Sequence, residues 1–220
     1  MHLRPDNPAL TAARTVFPLK VRQVHEMKRL LQPAGQNGKI GKGVDIVVKG
    51  KWRGMPCFVL TLEERATCPP DCKQWVPCYG NNMRFASRVD HRDPDELTRK
   101  LASEIKDLLR TYRAILVRPH VLGDFFSAEY AAFWAGQLTT HKGLHVFGFT
   151  HWARDSEIGQ VVQAMNGDRC WIRFSDQGGE MSANVEGEGI PCPEQTGKTD
   201  SCMSCGVCWS TTKPVSFKEH

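Results

Sequence analysis

The sequence has no apolar run long enough to cross a membrane. A spanning helix needs about 18 consecutive apolar residues, and every apolar run here is much shorter. The first ten residues, MHLRPDNPAL, also lack the apolar segment of a signal peptide. We therefore expect a cytoplasmic protein that makes no contact with a membrane.

The two common phosphate-binding fingerprints are also absent. The glycine-rich stretch at residues 32–43 reads QPAGQNGKIGKG and matches neither the dinucleotide fingerprint nor the P-loop. Its four glycines and the cations Lys39 and Lys42 would suit a close approach to an anion, and they would equally suit a flexible hairpin loop. With 40% hydrophobic and 24% charged residues, the composition is that of a globular protein.

Acidic residues are scarce at the N-terminal end. Before Gly54 the chain has 11 lysines and arginines but only three acidic residues, although its net charge is +5. Such a basic region favours contact with phosphate, and a solvated surface is the alternative. We expect a nucleic acid or nucleotide as partner. The sequence does not indicate the oligomeric state.

Cysteine, in contrast, is abundant. The chain has nine, and a reducing cytosol makes disulfides between them unexpected. Cys57 and Cys170 each lie alone in an apolar run and are expected in the core. The other seven form two groups, a pattern typical of metal or iron–sulfur ligation.

The first group lies in the stretch TCPPDCKQWVPCYG and contains Cys68, Cys72 and Cys78. Three thiolates leave one position open on a tetrahedral Zn²⁺ or on one iron of a [4Fe–4S] cluster, and an open position allows chemistry. We expect the [4Fe–4S] cluster here. The alternatives are a structural zinc, with a fourth ligand from among Cys57, His91 and His120, and no metal at all.

The second group has the spacing C-x9-C-x2-C-x2-C and consists of Cys192, Cys202, Cys205 and Cys208. Four sulfurs close the ligand shell of one zinc ion or one iron–sulfur cluster. The spacing predicts a metal site and leaves open whether it holds Zn²⁺ or a second Fe–S cluster. A site of three cysteines with His220 is a further alternative.

Apolar strands alternate with helical patterns in the middle of the chain, which predicts a largely parallel sheet. We expect strands ending at Leu62, Leu122, Phe149 and Phe174. Helices are expected over residues 21–31, 128–139 and 155–165, and from Pro94 onward with Asp93 as N-cap. A further strand is expected over residues 44–49.

The predicted fold is α/β: a partial (β/α) barrel or an open parallel sheet, with a C-terminal cysteine-rich metal-binding lobe. A complete barrel is not expected, because it needs about 250 residues. We expect a basic N-terminal arm and loop at 1–43, the α/β core at 44–176 and the metal lobe at 177–220. The lobe, rich in glycine and polar residues, would take its order from metal ligation.

The Gly123-Asp124 pair is expected at the same edge of the sheet as the first cysteine group, where the loops after parallel strands converge. A carboxylate among apolar neighbours is costly unless it binds something, so Asp124 is a candidate catalytic residue. Its alternative role is helix capping, for which Ser127 competes. His120 would share a strand face with Asp124 and is the second candidate. Three other strand-end residues are expected to bind a cofactor with Gly123 and Asp124: Thr150, Arg173 and Ser175.

Three segments resemble the gene-product-88-like family of bacteriophages and prophages: TCPPDCKQWVPCYG, RPHVLGDFF and PCPEQTGKTDSCMSCGVCW with the ending FKEH. The likeness runs from about Gly38 to His220. This family name implies a phage-type protein, in the host cytosol, and no particular activity.

More distantly, the order of parts resembles radical S-adenosylmethionine enzymes. That resemblance implies a [4Fe–4S] cluster on Cys68, Cys72 and Cys78, S-adenosylmethionine as cofactor, and Leu122, Gly123 and Asp124 as the second-strand motif that holds the cofactor's amine. Together with the basic N-terminal region, it leads us to expect an enzyme that modifies a nucleic acid or nucleotide.

Two alternatives stay open. The chain also resembles deazaguanine base-exchange enzymes of the tRNA-guanine transglycosylase type, which implies a catalytic role for Asp124 and a C-terminal zinc site. The other alternative is a nucleic-acid-binding module without catalysis, in which zinc ions staple both cysteine groups.

Overall fold

The chain has a mixed α/β fold with one large, mostly parallel sheet, as a computed structural model describes it for residues 1–219. The helices are α1 (Pro8–Thr11), α2 (Pro94–Thr111), α3 (Ala128–Thr140), α4 (Glu157–Met165) and α5 (Cys202–Cys205). The strands are β1 (Val21–Arg22), β2 (Gln32–Pro33), β3 (Cys57–Val59), β4 (Arg88–Val89), β5 (Ile115–Arg118), β6 (Leu144–Thr150), β7 (Cys170–Ser175), β8 (Ser182–Val185), β9 (Ile190–Pro191) and β10 (Val215–Phe217).

The large sheet has eight strands in the order β2-β3-β5-β6-β7-β8-β10-β9, and only β2 runs antiparallel to its neighbour. Strands β1 and β4 form a separate parallel pair. Within residues 1–219 no pairing joins the two end strands, β2 and β9. The expected parallel α/β sheet is therefore confirmed in its open form, and closure into a barrel is not.

The two faces of the sheet pack against different parts of the chain. On β5, Ile115 and Val117 pack into the core that contains α2, α3 and α4, while Leu116 between them faces the opposite core. Successive side chains of a strand point to opposite faces. The second core contains Trp52 and Trp209, which stack at 5.9 Å and come from loops far apart in sequence. The face away from the helices is thus covered by loops.

Helices α2 and α3 begin where the sequence indicates. Asp93 accepts a hydrogen bond from the backbone N–H of Glu96, and Ser127 accepts one from Tyr130 at the start of α3. These caps satisfy backbone donors that a helix leaves unpaired in its first turn. Ser127 therefore caps α3, and the carboxylate of Asp124 has other partners.

The helix expected over residues 21–31 is wrong. This segment contains strand β1 and a single 3₁₀ turn at Val24–Glu26. The end of the segment bonds to α2 instead of continuing as a helix, because the Glu104 carboxylate accepts from the N–H groups of Leu30 and Leu31. Tertiary partners outcompete the local helix.

Three predicted strands are also wrong in extent. The strand expected to end at Leu62 ends at Val59. Residues 44–49 form only an isolated bridge between Ile46 and Pro56. The strand expected up to Leu122 ends at Arg118, since Pro119 has no N–H to continue the ladder. His120 and Asp124 consequently lie on a loop and do not share a strand face.

The C-terminal segment is less loop-like than the sequence suggests. It contributes β8, β9 and β10 to the large sheet, with β10 paired in parallel between the other two. The sheet therefore runs across the expected boundary at residue 177, and the division into three parts stays a prediction. In the part of the chain that the structure describes, no helix is both long and apolar enough to span a membrane.

Candidate functional site

A cavity of about 230 Å³ lies on the loop-covered face of the sheet. Arg118 of β5 and Phe147 and Phe149 of β6 form part of its wall. Both cysteine groups line it with all their members, Cys68, Cys72, Cys78, Cys192, Cys202, Cys205 and Cys208. Two motifs more than 100 residues apart in sequence therefore meet at one chamber.

In the first cysteine group the thiols are close enough to influence one another and Asp124. Burial raises the pKa of the Cys68 thiol well above its ordinary value, and the charges of Asp124 and Cys72 raise it further. Burial likewise raises the pKa of Cys72 to about 12, again with a contribution from Asp124. Cys68, Cys72 and Asp124 can all be ionised at once only if a positive charge lies among them.

Backbone N–H groups lie next to the sulfurs of this group. The N–H of Gln74 acts to lower the pKa of Cys72, against the larger effect of burial. The N–H of Gly80 acts in the same way on Cys78, whose pKa burial raises. Such donors stabilise a thiolate, and hydrogen bonds to sulfur tune iron–sulfur sites.

A buried arginine fixes the loop at residues 67–80 that holds the first cysteine group, here called the three-cysteine loop. The guanidinium of Arg65, 1% exposed, donates to the carbonyl of Trp75 at 2.9 Å, to the carbonyl of Arg14 at 3.2 Å and to the side chain of Asn81. Asn81 in turn donates to the carbonyl of Val76. The loop therefore has a defined shape without regular secondary structure.

A second buried arginine fixes the far end of the loop. Arg88, 0% exposed, pairs with Glu64 through two hydrogen bonds of 2.8 and 3.0 Å. It also donates to the carbonyls of Gly80, Met83 and Ala86. A buried charge pair is costly to desolvate, and these extra acceptors offset part of that cost.

The second cysteine group lies among cations. Burial raises the pKa of Cys202 to about 11, while Arg118 and Lys39 act to lower it. Burial raises the pKa of Cys208 to about 12, and here Arg173 acts to lower it. The electrostatic surroundings thus differ from those of the first group, which has a carboxylate beside it.

Arg173 attaches the C-terminal segment to the sheet. Its guanidinium donates to the carbonyls of Cys208 at 3.0 Å, Lys213 at 2.9 Å and Ser182 at 3.1 Å, and also to that of Thr211. It does not line the cavity. Its contacts are those of a residue that positions the second cysteine group.

The turn at Gly123 packs against the three-cysteine loop. Gly123 has φ +80°, and a Cβ atom there would lie 2.3 Å from Thr67 Oγ1 and 2.8 Å from Leu62 Cβ. Thr67 Oγ1 accepts a hydrogen bond from the N–H of Asp124 at 3.1 Å. Only glycine combines this backbone conformation with so close an approach.

Asp124 is 2% exposed, and burial raises its pKa to about 7. Its Oδ1 accepts from the N–H of Phe125 at 2.8 Å and its Oδ2 from the N–H of His151 at 2.7 Å. The side chain of Thr150 also bonds to it and lowers the pKa. The carboxyl group is therefore held rigidly between the loop after β5 and the end of β6.

His120 is buried and uncharged. Burial lowers its pKa to about 3, and the charge of Arg118 lowers it further. The ring packs edge-on against Phe125 at 4.5 Å, and its Nε2 has no hydrogen-bond partner among the described residues. It lies at the cavity wall with a free ring nitrogen.

The predicted cofactor-binding residues divide into two sets. Gly123, Asp124 and Ser175 line the cavity together with His120, whereas Thr150 and Arg173 lie behind the wall. Thr150 bonds to Asp124 and accepts from the N–H of Trp152 at 3.1 Å. Both residues outside the cavity support others that line it.

The proposed fourth ligands are scattered. Cys57 is buried near Cys202 of the second group, and His91 packs against Phe126 at 5.1 Å. His220 lies outside the described residues. Within residues 1–219 no three histidine, cysteine or acidic side chains lie close enough to hold a single metal ion.

Sequence reasoning missed Arg118 and Glu194, which also line the cavity. An arginine at the end of the apolar run AILVR was a usable signal, because a charge on a buried strand needs a partner. Glu194 lies in a polar segment and gave no such signal.

Comparison with known proteins identifies one family. The family model described as gene product 88 matches residues 27–158, more than half of the chain, including the first cysteine group and the Gly123-Asp124 turn. No curated protein and no solved structure matches the chain. The chain belongs to the gene product 88 family.

Proposed function

We propose that this protein is an iron–sulfur enzyme with two metal centres around one cavity, and that it modifies a nucleic acid or nucleotide. The observation that carries the proposal is the convergence of both cysteine groups on a single chamber that also contains Asp124. Seven thiols around one cavity exceed what packing needs, and thiolates are the preferred ligands of iron–sulfur clusters and zinc.

The first centre would be a [4Fe–4S] cluster held by Cys68, Cys72 and Cys78. Three thiolates beside a buried carboxylate repel one another, and a cationic metal core removes that repulsion. In such a cluster each thiolate binds a different iron, so the ligands lie further apart than those of a single ion. Three ligands leave one iron facing the cavity.

Asp124 would hold the amine of S-adenosylmethionine, as the resemblance to radical S-adenosylmethionine enzymes implies. An ammonium group beside a buried carboxyl favours its ionised form, and the pKa of Asp124 near 7 makes that ionisation responsive to a ligand. When bound, this cofactor and cluster supply one-electron chemistry that activates a C–H bond of a substrate.

The chain's own residues prepare this site. The N–H groups of Phe125 and His151 fix both oxygens of Asp124, and Thr67 fixes its backbone. The buried His120 stays neutral, so it adds no charge that would repel a cationic cofactor. Binding groups positioned in advance lose little entropy when a ligand arrives.

The second centre would be an Fe–S cluster on Cys192, Cys202, Cys205 and Cys208, since no three of these thiols, all within the described residues, lie close enough to hold a single zinc ion. Four thiolates around a divalent core leave a net negative charge. Arg173 offsets part of it beside Cys208. This centre would order the C-terminal segment and close one side of the cavity.

Anaerobic purification followed by an absorbance spectrum and by iron, sulfide and zinc analysis tests the proposal. We expect a brown protein with at least about four irons and four sulfides per chain. Addition of S-adenosylmethionine should perturb the electron paramagnetic resonance spectrum of the reduced protein, and Asp124→Asn should weaken that effect. A colourless protein that contains only zinc would contradict the proposal and favour a zinc-stapled binding module.

A further inference from the structure

We propose that the part of the cavity between the two cysteine groups binds a nucleoside phosphate, free or as one unit of a nucleic acid strand. Arg118 and Lys39 would bind the phosphate, aromatic side chains would contact the base, and Glu194 would accept hydrogen bonds from the base edge. The binding of this ligand is argued from the cavity wall alone. Its role as the substrate rests on the proposed function.

Two cations at the cavity wall have no carboxylate partner among residues 1–219. Among the described residues, neither Arg118 nor Lys39 takes part in a salt bridge. Arg118 uses Nε to donate to the carbonyl of His120 at 3.0 Å. A guanidinium has five N–H donors in a fork that fits phosphate oxygens, so most of this one stays available for an anion.

Aromatic rings connect the two cations. The Nζ atom of Lys39 lies 5.7 Å from the ring centre of Tyr79 and 5.8 Å from that of Phe217. Arg118 lies 5.1 Å from the ring centre of Phe149, which packs edge-on against Phe217 at 5.6 Å. Rings beside cations are typical of sites that stack bases and bind the attached phosphates.

Glu194 adds an acceptor to the same chamber. Its Oε2 is buried and has no hydrogen-bond partner among the described residues. The charges of Glu194 and Arg118 both act on the pKa of Tyr79, the first raising it and the second lowering it. Glu194 therefore lies in the same part of the cavity as Arg118. A buried carboxylate oxygen without a donor is costly. The N–H groups of a nucleobase would satisfy it, and guanine presents two of them side by side.

These charges exclude simpler ligands. A bare inorganic anion would leave the Glu194 oxygen unsatisfied and repelled, and an uncharged aromatic molecule would leave both cations unpaired. A nucleoside phosphate carries both an anion and N–H donors, and the same cavity wall offers two cations and a carboxylate acceptor for them.

Isothermal titration of the anaerobically purified full chain tests the inference. The probes are guanosine 5′-monophosphate, guanosine, ribose 5-phosphate and a short single-stranded oligonucleotide. We expect the monophosphate, or the oligonucleotide if the source is a strand, to bind at least about tenfold more tightly than guanosine or ribose 5-phosphate.

Variants separate the contributions. Arg118→Gln and Lys39→Met should each weaken phosphate-containing probes about tenfold or more and leave guanosine unchanged, while Glu194→Gln should weaken guanosine. Arg99→Gln and Lys106→Met, which remove exposed cations of α2, should change nothing. Equal affinity of wild type and Arg118→Gln would overturn the inference, as would an Arg118→Gln effect confined to metal content.

Metal analysis of the same samples keeps the two proposals apart. Iron without nucleotide binding would contradict this inference alone. Nucleotide binding that depends on Arg118, in a chain without iron, would support the inference and contradict the proposed function alone.

Discussion

The hydroxyl of Thr67 joins the three-cysteine loop to the Asp124 turn: its Oγ1 accepts from the N–H of Asp124 at 3.1 Å and donates to the carbonyl of Glu63 at 2.9 Å. Thr67 precedes the first cysteine of the loop, and Asp124 follows Gly123 in the turn. One buried side chain therefore sets the distance between the sulfur ligands and the carboxylate that together form the candidate site.

Thr67→Val should destabilise the fold, because valine has the same shape and leaves a buried N–H without an acceptor. We expect the free energy of unfolding to fall by about 1–3 kcal/mol, measured by urea titration. Thr139→Val is the matched control, since the Thr139 hydroxyl lies on the exposed side of α3 and donates only to its own helix. A loss at Thr67 no larger than at Thr139 would contradict this role.

Gly123→Ala should be more damaging than its backbone conformation alone explains. The added Cβ would lie 2.3 Å from Thr67 Oγ1, so the turn must move away from the cysteine loop. Gly179→Ala is the control, because Gly179 also has positive φ, +69°, and no atom lies within 4 Å of its Cβ position. The control should lose about 1 kcal/mol of stability and Gly123→Ala at least about twice as much.

Asp124 should make the metal-free chain less stable as pH rises from about 4 to 7. Its pKa is raised from 3.8 to about 7 on folding, so the folded state binds more protons than the unfolded state in that window. Asp124→Asn removes this term. The free energy of unfolding of the variant, followed by urea titration at several pH values, should then increase with pH by up to about 1.4 kcal/mol per unit, because the contribution of His120 is no longer offset.

His120 should have the opposite effect. Its pKa falls from 6.5 to about 3 on folding, so the unfolded state binds more protons between these values and stability rises with pH. In the wild type, the opposite effects of Asp124 and His120 on the free energy of unfolding nearly cancel between pH 4 and 6.5. His120→Gln should therefore lose stability as pH rises. Asp107→Asn, an exposed change on α2, should keep the wild-type profile, and parallel profiles for all four proteins would rule out this account.

Arg173→Met should loosen the C-terminal segment selectively, because four backbone carbonyls lose their donor. Hydrogen exchange should accelerate most around Cys208 and Lys213. Arg169→Met is the matched control, since Arg169 donates to the carbonyls of Leu138, His141 and Leu144 near the end of α3. Equal acceleration of the C-terminal segment in both variants would show that Arg173 has no special role there.

Elements with local signals were predictable from the sequence. Helix α2 follows from its Asp93 cap, the Pro94 start and the apolar residues at spacings of three and four. The strands Leu144–Thr150 and Cys170–Ser175 follow from their apolar, β-branched composition. The meeting of the cysteine loop with Asp124 follows from the convergence of loops at one edge of a parallel sheet.

Elements fixed by distant partners were not predictable. The Glu104 carboxylate binds the backbone at Leu30 and removes a helix that local periodicity favours. Strand β10 has only three residues and exists because β8 and β9 pair with it on both sides. Arg173 was expected to bind a cofactor, but its guanidinium donates to backbone carbonyls such as that of Cys208. No sequence pattern reveals which carbonyls will lie beside it.

The most direct test of the two-centre account is iron, sulfide and zinc analysis of anaerobically purified Cys72→Ala and Cys205→Ala, with Cys170→Ala as the control in the other core. The account predicts that Cys72→Ala loses the metal of the first centre and keeps that of the second, that Cys205→Ala does the reverse, and that Cys170→Ala keeps both. Loss of all metal in both site variants, or of none in either, would contradict two separate centres around one cavity.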